Sequence, residues 1–424
     1  MTTTTHDTTE QGSGSLNLGR LAPATSVIGA IGLLVLLALM FTGDDAHRQQ
    51  MLGSYLFGFI FWIGITLGFF GLSLLHHTVR GRWSVSILRI LEAGGGWVSF
   101  VLMGALFIPV LANLKLLYEW ADPDKVATSE ILKHKAPYLN TPFFIVRLGI
   151  YLLLWGGLAY FMRRSTLRQE ANQDFKLEAG RSSWGAPGIL MFFITCTFAF
   201  TDWVMSLDKN WYSTMYGTWT IVASVLGALA LATFIFCTNA DKFPYNTVWR
   251  PDLTKDLGNM LFTLTMLWGY TSLSQFLIIW NGNLPETARY YIARSSNVPV
   301  HAGSVEPVTS NFTWGILGLV GIIGQFFIPF FALITPRTKK TPKNLAKICA
   351  WIFVVHIVDV YSYVIPSLPG RGGPGPVSSA IGYDALAWIT IGALWFFVFG
   401  SQVSKAPLLP TYDTRLQEAL QNAH

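Results

Sequence analysis

Residues 53–78, GSYLFGFIFWIGITLGFFGLSLLHHT, run for 26 positions without an Asp, Glu, Lys or Arg. A helix of about 20 apolar residues, rising 1.5 Å at each, crosses the roughly 30 Å hydrocarbon layer of a bilayer. This stretch is therefore read as a membrane span. Similar runs fall at about 23–42, 91–113, 142–162, 185–205, 215–238, 256–280, 310–335, 345–365 and 380–402, making ten. The whole chain agrees, with 52% hydrophobic and only 12% charged residues, about half the charge of a soluble domain. The runs are continuous rather than alternating, which argues for helices and against a closed barrel. The fold class expected is an all-α integral membrane protein.

Orientation follows from the basic residues. Nineteen of the 29 Lys and Arg fall in connections on the side of the N-terminus and nine on the opposite side, leaving Arg147 alone within a span. The positive-inside rule then predicts cytoplasmic termini. The net charge of +6 reflects these connections and calls for no nucleic-acid partner. Residues 1–22, opening with Thr2 to Thr5, read as a disordered tail, 23–402 as the membrane domain, and 403–424 as a C-terminal tail. The first span is expected to remain uncleaved, since no small-x-small site precedes Asp44 and Asp45. On the opposite side, 114–141 (Tyr118, Trp120, Ile131, Leu132, Tyr138) and 281–309 (Pro285, Pro299, Pro307) are longer than topology requires. They read either as amphipathic surfaces against bilayer or partner, or as plain solvated loops.

Cys196, Cys237 and Cys349 are far apart, with no CxxC spacing for an iron–sulfur site or a c-type haem. Only His356 of the eight histidines lies deep within a span, far from the level of His76 and His77, so no pair is placed to clamp a b-type haem. The expectation is that this chain binds no metal and no cofactor.

Function then has to be sought at charges that the bilayer penalises. Arg147 and Asp202 lie at matched depth in consecutive spans, which predicts an ion pair, either structural or part of a proton path. His356 and Asp359, three apart, share a helix face and can hold or pass a proton. Tyr361, Ser362 and Tyr363, with Tyr270, Ser272, Ser274 and Gln275 of the seventh span, extend this set towards the outer surface. The alternative is a polar patch that joins helices. Glu92 opens the third span and Asp256 the seventh, near His76 and His77 at the end of the second. Helix capping explains the two acids, and inner proton access is the sharper reading. Gly94-Gly95-Gly96 after Glu92 permits close helix approach or an opened turn. Spans two to five (52–206) and six to nine (214–366) form two sets of four running in the same direction, predicting two four-helix bundles plus two peripheral helices. In that register Glu92 matches Asp256 and Asp202 matches Asp359.

The most specific signature is FTDWVMSLDKNWYSTMYG at 200–217. It resembles the pattern D-W-x-M-S-L-x-x-x-W-[FY]-S-T-x-[FY]-G of the F subunit of bacterial alternative complex III, a relative of the NrfD-like polysulfide reductase membrane subunits. The stretch from Leu67 to Gly96, with His76-His77 and Leu91-Glu92-Ala93-Gly94-Gly95, is similar as well. The resemblance implies a menaquinol-oxidising respiratory complex in the bacterial cytoplasmic membrane. In it, haem c and iron–sulfur centres belong to partner subunits: an iron–sulfur protein, multihaem and monohaem cytochromes c, and a sister ten-helix subunit that binds quinol. This chain would supply proton half-channels or energy coupling rather than electron transfer. A quinone-binding membrane anchor and a secondary transporter are the competing readings.

Overall fold

The computed structural model describes residues 18–79, 81–174, 176–292, 294, 312–369, 371, 380–410, 412, 413 and 416. Ten of its helices are long and apolar enough to cross a membrane: α1 (Ala22–Phe41), α2 (Asp45–Val79), α3 (Leu88–Ala112), α4 (Thr141–Asn172), α5 (Lys176–Leu207), α6 (Tyr216–Thr238), α7 (Pro251–Gly282), α8 (Trp314–Ile334), α9 (Pro342–Ser367) and α10 (Ile381–Val403). Among the described residues there is no strand. The chain is an all-α, multi-pass membrane protein. Its ten antiparallel helices bring both chain ends to one face, called here the terminal side.

Packing closes two rings of four. Helix α2 packs on α3 and α5, α3 on α4, and α4 on α5; likewise α6 packs on α7 and α9, α7 on α8, and α8 on α9. The rings meet along α2 and α6, with α5 also touching α6, while α1 lies along α10 on the outside of α2. The sequence explains why α2 and α6 sit inside. Both are apolar all round, and α2 carries glycines where neighbours come closest. A Cβ at Gly68 would fall well inside contact distance of the Ser224 carbonyl oxygen and 2.6 Å from the Ala228 Cβ, and one at Gly58 would lie 3.0 Å from the Ala387 carbonyl. By contrast Leu153 (77%), Trp280 (69%) and Phe331 (64%) stand exposed on α4, α7 and α8, as lipid-facing side chains do.

Two helices are interrupted. In α3 the first segment ends at Gly94, Gly96 is extended with ψ 163°, and the helix resumes at Trp97. A Cβ at Gly95 would meet the Phe70 backbone, so the glycines serve both close approach and an opened turn. In α8, Ile323–Phe327 forms a π-turn. Pro329 has no N–H for the carbonyl five residues back, its partner in a π-turn, and that Gly324 carbonyl instead accepts from Trp351 Nε1 of α9 at 2.9 Å.

The helices outrun their apolar cores. Arg147 is not the only basic residue inside a span: Arg89 in α3, Arg163 in α4 and Arg181 in α5 are all buried within helices. Reading spans from apolar runs stops at the first charge, whereas charges that find partners let a helix continue. His356, deep within its span as expected, lies about 21 Å from the start of α9, because α9 begins at Pro342 rather than near 345.

The connection 114–141 folds down as short helical turns. The Tyr118 hydroxyl donates to the Trp203 carbonyl at 2.8 Å, Trp120 Nε1 to Ser206 Oγ at 3.1 Å, and Lys135 Nζ to the Lys209 carbonyl at 2.8 Å. Burial, and then the Asp202 charge, raise the Tyr118 hydroxyl far above its ordinary pKa, and burial lowers the Lys135 ammonium. A helix over Pro285–Ile292 follows α7, with Tyr290 stacked on Trp211 at 4.2 Å. Pro299, Pro307 and the Thr-rich start lie outside the described residues. After α10 the chain turns back, burying Leu408, Leu409, Tyr412, Asp413 and Leu416.

Candidate functional site: buried ionisable clusters

The pair foreseen between α4 and α5 is present and bidentate. Arg147 Nε donates to Asp202 Oδ2 at 2.8 Å and Nη2 to Oδ1 at 2.9 Å, while Nη1 reaches the Tyr138 carbonyl at 2.9 Å. The guanidinium also lies 3.9 Å from the Tyr138 ring centre and 4.4 Å from that of Phe143. Tyr151 donates to Asp202 Oδ2 at 3.0 Å. Asp202 is 1% exposed, so its charge is satisfied wholly by protein.

The equivalent position in the second ring, Asp359 of α9, has a different neighbourhood. Its Oδ2 accepts from Trp268 Nε1 at 3.2 Å and lies 3.8 Å from His356 Nδ1. Among the described residues no Arg pairs with it; the His356 ring lies against Gly227 of α6 and 5.3 Å from Phe61 of α2. Both ring nitrogens of His356 are buried without a hydrogen-bond partner, as are both amide atoms of Gln325 in the α8 π-turn and the hydroxyls of Thr233 (α6) and Thr265 (α7). Each of the four helices of this ring thus contributes an unsatisfied polar group to its interior. Buried polar atoms in proteins are otherwise satisfied by ordered water.

The outward extension of this set is only partly assembled. Gln275 Oε1 accepts from Ser213 Oγ at 2.5 Å, and Ser272 Oγ accepts from Trp219 Nε1 at 2.8 Å. Ser362 donates to the Asp359 carbonyl at 2.7 Å, and Tyr363 is buried beside Trp219. Tyr270 does not join them: it is 67% exposed. Trp268, Thr271 and Gln275 are buried at spacings of three and four, so Tyr270 falls on the outside of α7. Tyr361 belongs to another cluster. Its hydroxyl donates to Asp384 Oδ2 at 2.9 Å, where Arg371 makes a bidentate pair with Asp384 (2.8 and 2.7 Å) and Ser54 donates to Oδ1 at 2.6 Å. Asp384 is 1% exposed. Sequence reading missed this site, although an acid four residues inside an apolar run was a visible signal.

On the terminal side, Glu92 is buried and bound to Arg89 Nη1 at 2.7 Å rather than capping a helix. Arg89 Nη2 also holds Glu170 Oε2 at 2.5 Å, and Arg181 hydrogen-bonds Gln169 and Ser165. His76 Nδ1 is 2.5 Å from Ser84 Oγ, its Nε2 3.9 Å from Asp413 Oδ2, and the His77 ring stands edge-on to it at 5.0 Å. Tyr412 lies 5.5 Å from the Arg89 and 5.3 Å from the Arg181 guanidinium. Glu92 Oε1 has no hydrogen-bond partner, and Glu92 lines a small cavity together with Ser73, Gly95, Gly96 and Arg163. Asp256, its counterpart by register, is half-exposed in the second turn of α7, beyond the first-turn acid Asp252, and among the described residues it forms no ion pair.

A larger cavity of about 280 Å³ opens under the 114–141 connection, lined by Trp120, His134, Lys135, Tyr138, Asp208, Trp211 and Tyr212 among others. Cys196, Cys237 and Cys349 are buried free thiols. Among the described residues no three His, Cys, Asp or Glu side chains converge as a metal site needs. No protein-family model matches this sequence, and no curated protein matches it either.

Proposed function

We propose that this chain is the F-type membrane subunit of an alternative complex III in a bacterial cytoplasmic membrane, with cytoplasmic termini, and that it moves protons rather than electrons. The observation that carries the reading is the pairing of Asp202 and Asp359 at matching positions of two equivalent four-helix rings, each buried and each hydrogen-bonded across helices. Sequence resemblance at 200–217 and 67–96 supplies the family. Haem c and iron–sulfur centres, in partner subunits, would carry electrons from menaquinol oxidised in the sister ten-helix subunit.

The two rings differ in what they can do. Asp202 is held by a bidentate Arg147 and the Tyr151 hydroxyl, which fixes its position. Asp359 faces a neutral indole and an imidazole with free nitrogens, so a proton there has somewhere to go. Water bridging His356, Gln325, Thr265 and Thr233 would continue the path through the ring interior. Moving one charge across 100 mV takes about 2.3 kcal/mol, so a proton carried through this ring would couple to the membrane potential. Replacing Asp359 with Asn is expected to lower protons translocated per electron while quinol oxidation continues. Unchanged stoichiometry in Asp359→Asn and in His356→Gln would rule the reading out.

A quinone-binding role has one observation in its favour. The Trp211 indole N–H is buried, lacks a partner and lines the cavity under 114–141 beside Tyr138 and Trp120, and a flat ring with carbonyl acceptors suits such walls. Photoaffinity labelling with an azidoquinone would place adducts on Trp211 or Tyr212. The transporter reading is less well supported, because the two helix breaks fall in α3 and α8, which do not correspond in the repeat.

A further inference from the structure

We infer that the terminal-side joint between α8 and α9 binds the phosphate headgroup of an anionic phospholipid. From 307 to 358 the chain has no Asp or Glu, yet Arg337, Lys339, Lys340, Lys343 and Lys347 crowd into eleven positions. Four of them, Arg337, Lys340, Lys343 and Lys347, are exposed, and none pairs with a carboxylate among the described residues. Lys343 and Lys347 are one helical turn apart and share a face.

The fifth cation fixes where the cluster sits. Lys339 Nζ donates to Asn259 Oδ1 at 2.8 Å and lies 5.7 Å from the Phe262 ring centre, and its stem passes over Gly258. The Lys340 carbonyl accepts from Thr254 Oγ1 at 3.3 Å. The short helix Pro336–Lys340 is thereby tied to the first turns of α7, at the level where polar side chains give way to apolar ones. Burial lowers the Lys339 ammonium from its ordinary pKa, and the neighbouring Lys255 adds to that. Asp252 and Asp256 of α7 are the nearest acids in sequence to that helix start, and neither forms an ion pair with these cations. Just inside the bilayer from the cluster, Phe331 (64%) and Ile334 (54%) are exposed on α8. Unopposed cations above an exposed apolar strip match a lipid with an anionic head and acyl chains. An acidic protein segment would have no use for the apolar strip.

The test is native mass spectrometry of the protein purified with its natural partners in mild detergent, delipidated, then titrated with phosphatidylglycerol, cardiolipin or phosphatidylcholine. Anionic lipids are expected to bind and phosphatidylcholine not to. A cation near an anionic surface contributes about fivefold in affinity, so Lys343→Gln/Lys347→Gln should weaken anionic-lipid binding about 25-fold. Lys115→Gln/Lys125→Gln, on the opposite side, should leave it unchanged. Equal binding of anionic and zwitterionic lipids, no loss in the Lys343/Lys347 variant, or displacement of the lipid by an acidic partner segment cross-linking to those positions would overturn the proposal.

Discussion

At the residue scale, the Arg147–Asp202 pair tests what a buried charge is worth in this fold. Removing one partner of a buried pair leaves the other uncompensated, at a cost of about 3–5 kcal/mol, whereas removing both with apolar residues of similar size is close to neutral. Asp202→Asn is therefore expected to destabilise the protein in detergent much more than the double change Arg147→Met/Asp202→Leu. Thermal unfolding of both variants checks this, and equal losses would show that the pair is not the dominant contact. The pair was legible in sequence because consecutive spans adjoin and the two depths match. Its surroundings were not: Tyr138 and Tyr151 join it through helix rotation and loop folding that linear spacing does not report. Tyr270 fails for the same reason, since one residue of rotation on α7 separates the ring interior from lipid. Asp384 was passed over because its partner Arg371 lies in a connection, and reading charges span by span never set the two side by side.

At the scale of elements, glycine decides how closely helices cross. Gly68 sits where α2 meets α6, and a methyl there has no room beside the Ser224 carbonyl and Ala228. Gly149 on α4 has nothing within 4 Å of a built Cβ. Gly68→Ala should then lower stability by about 1–3 kcal/mol through overpacking, while Gly149→Ala should be neutral or slightly stabilising through helix propensity. Melting temperatures of the two variants, measured side by side, decide the point; equal shifts would mean that the crossing relaxes freely. The number and order of the helices could be read from apolar runs, because the bilayer sets a minimum length. Their ends could not, since Arg89, Arg163 and Arg181 extend helices by pairing with groups on other helices. The π-turn of α8 was equally hidden: Pro329 announces a missing donor but not which neighbour repairs it.

At the scale of the molecule, the two rings follow the repeat expected from sequence, but the chain ends make them unequal. The segment after α10, expected as a tail, covers the terminal side of the first ring with its described residues. Tyr412 lies between Arg89 and Arg181, and Asp413 faces His76. A tail reading rested on the absence of a long apolar run after 403, and scattered leucines carry no such signal even when they are buried. Burying Leu408, Leu409 and Leu416 stabilises this cover by about 1.5–3 kcal/mol for each side chain, which is ample to hold it closed. Glu92 lies beneath, with one carboxylate oxygen unpartnered. Ending the chain after Lys405 should therefore let water reach Glu92, and a water-soluble carbodiimide should modify it several times faster than in the full-length protein. Tyr412→Ala, which opens the gap between the two guanidiniums without shortening the chain, should give an intermediate rate. If all three proteins react alike, the C-terminal segment is not the seal, and Glu92 must already communicate with water through the cavity beside Gly95 and Gly96.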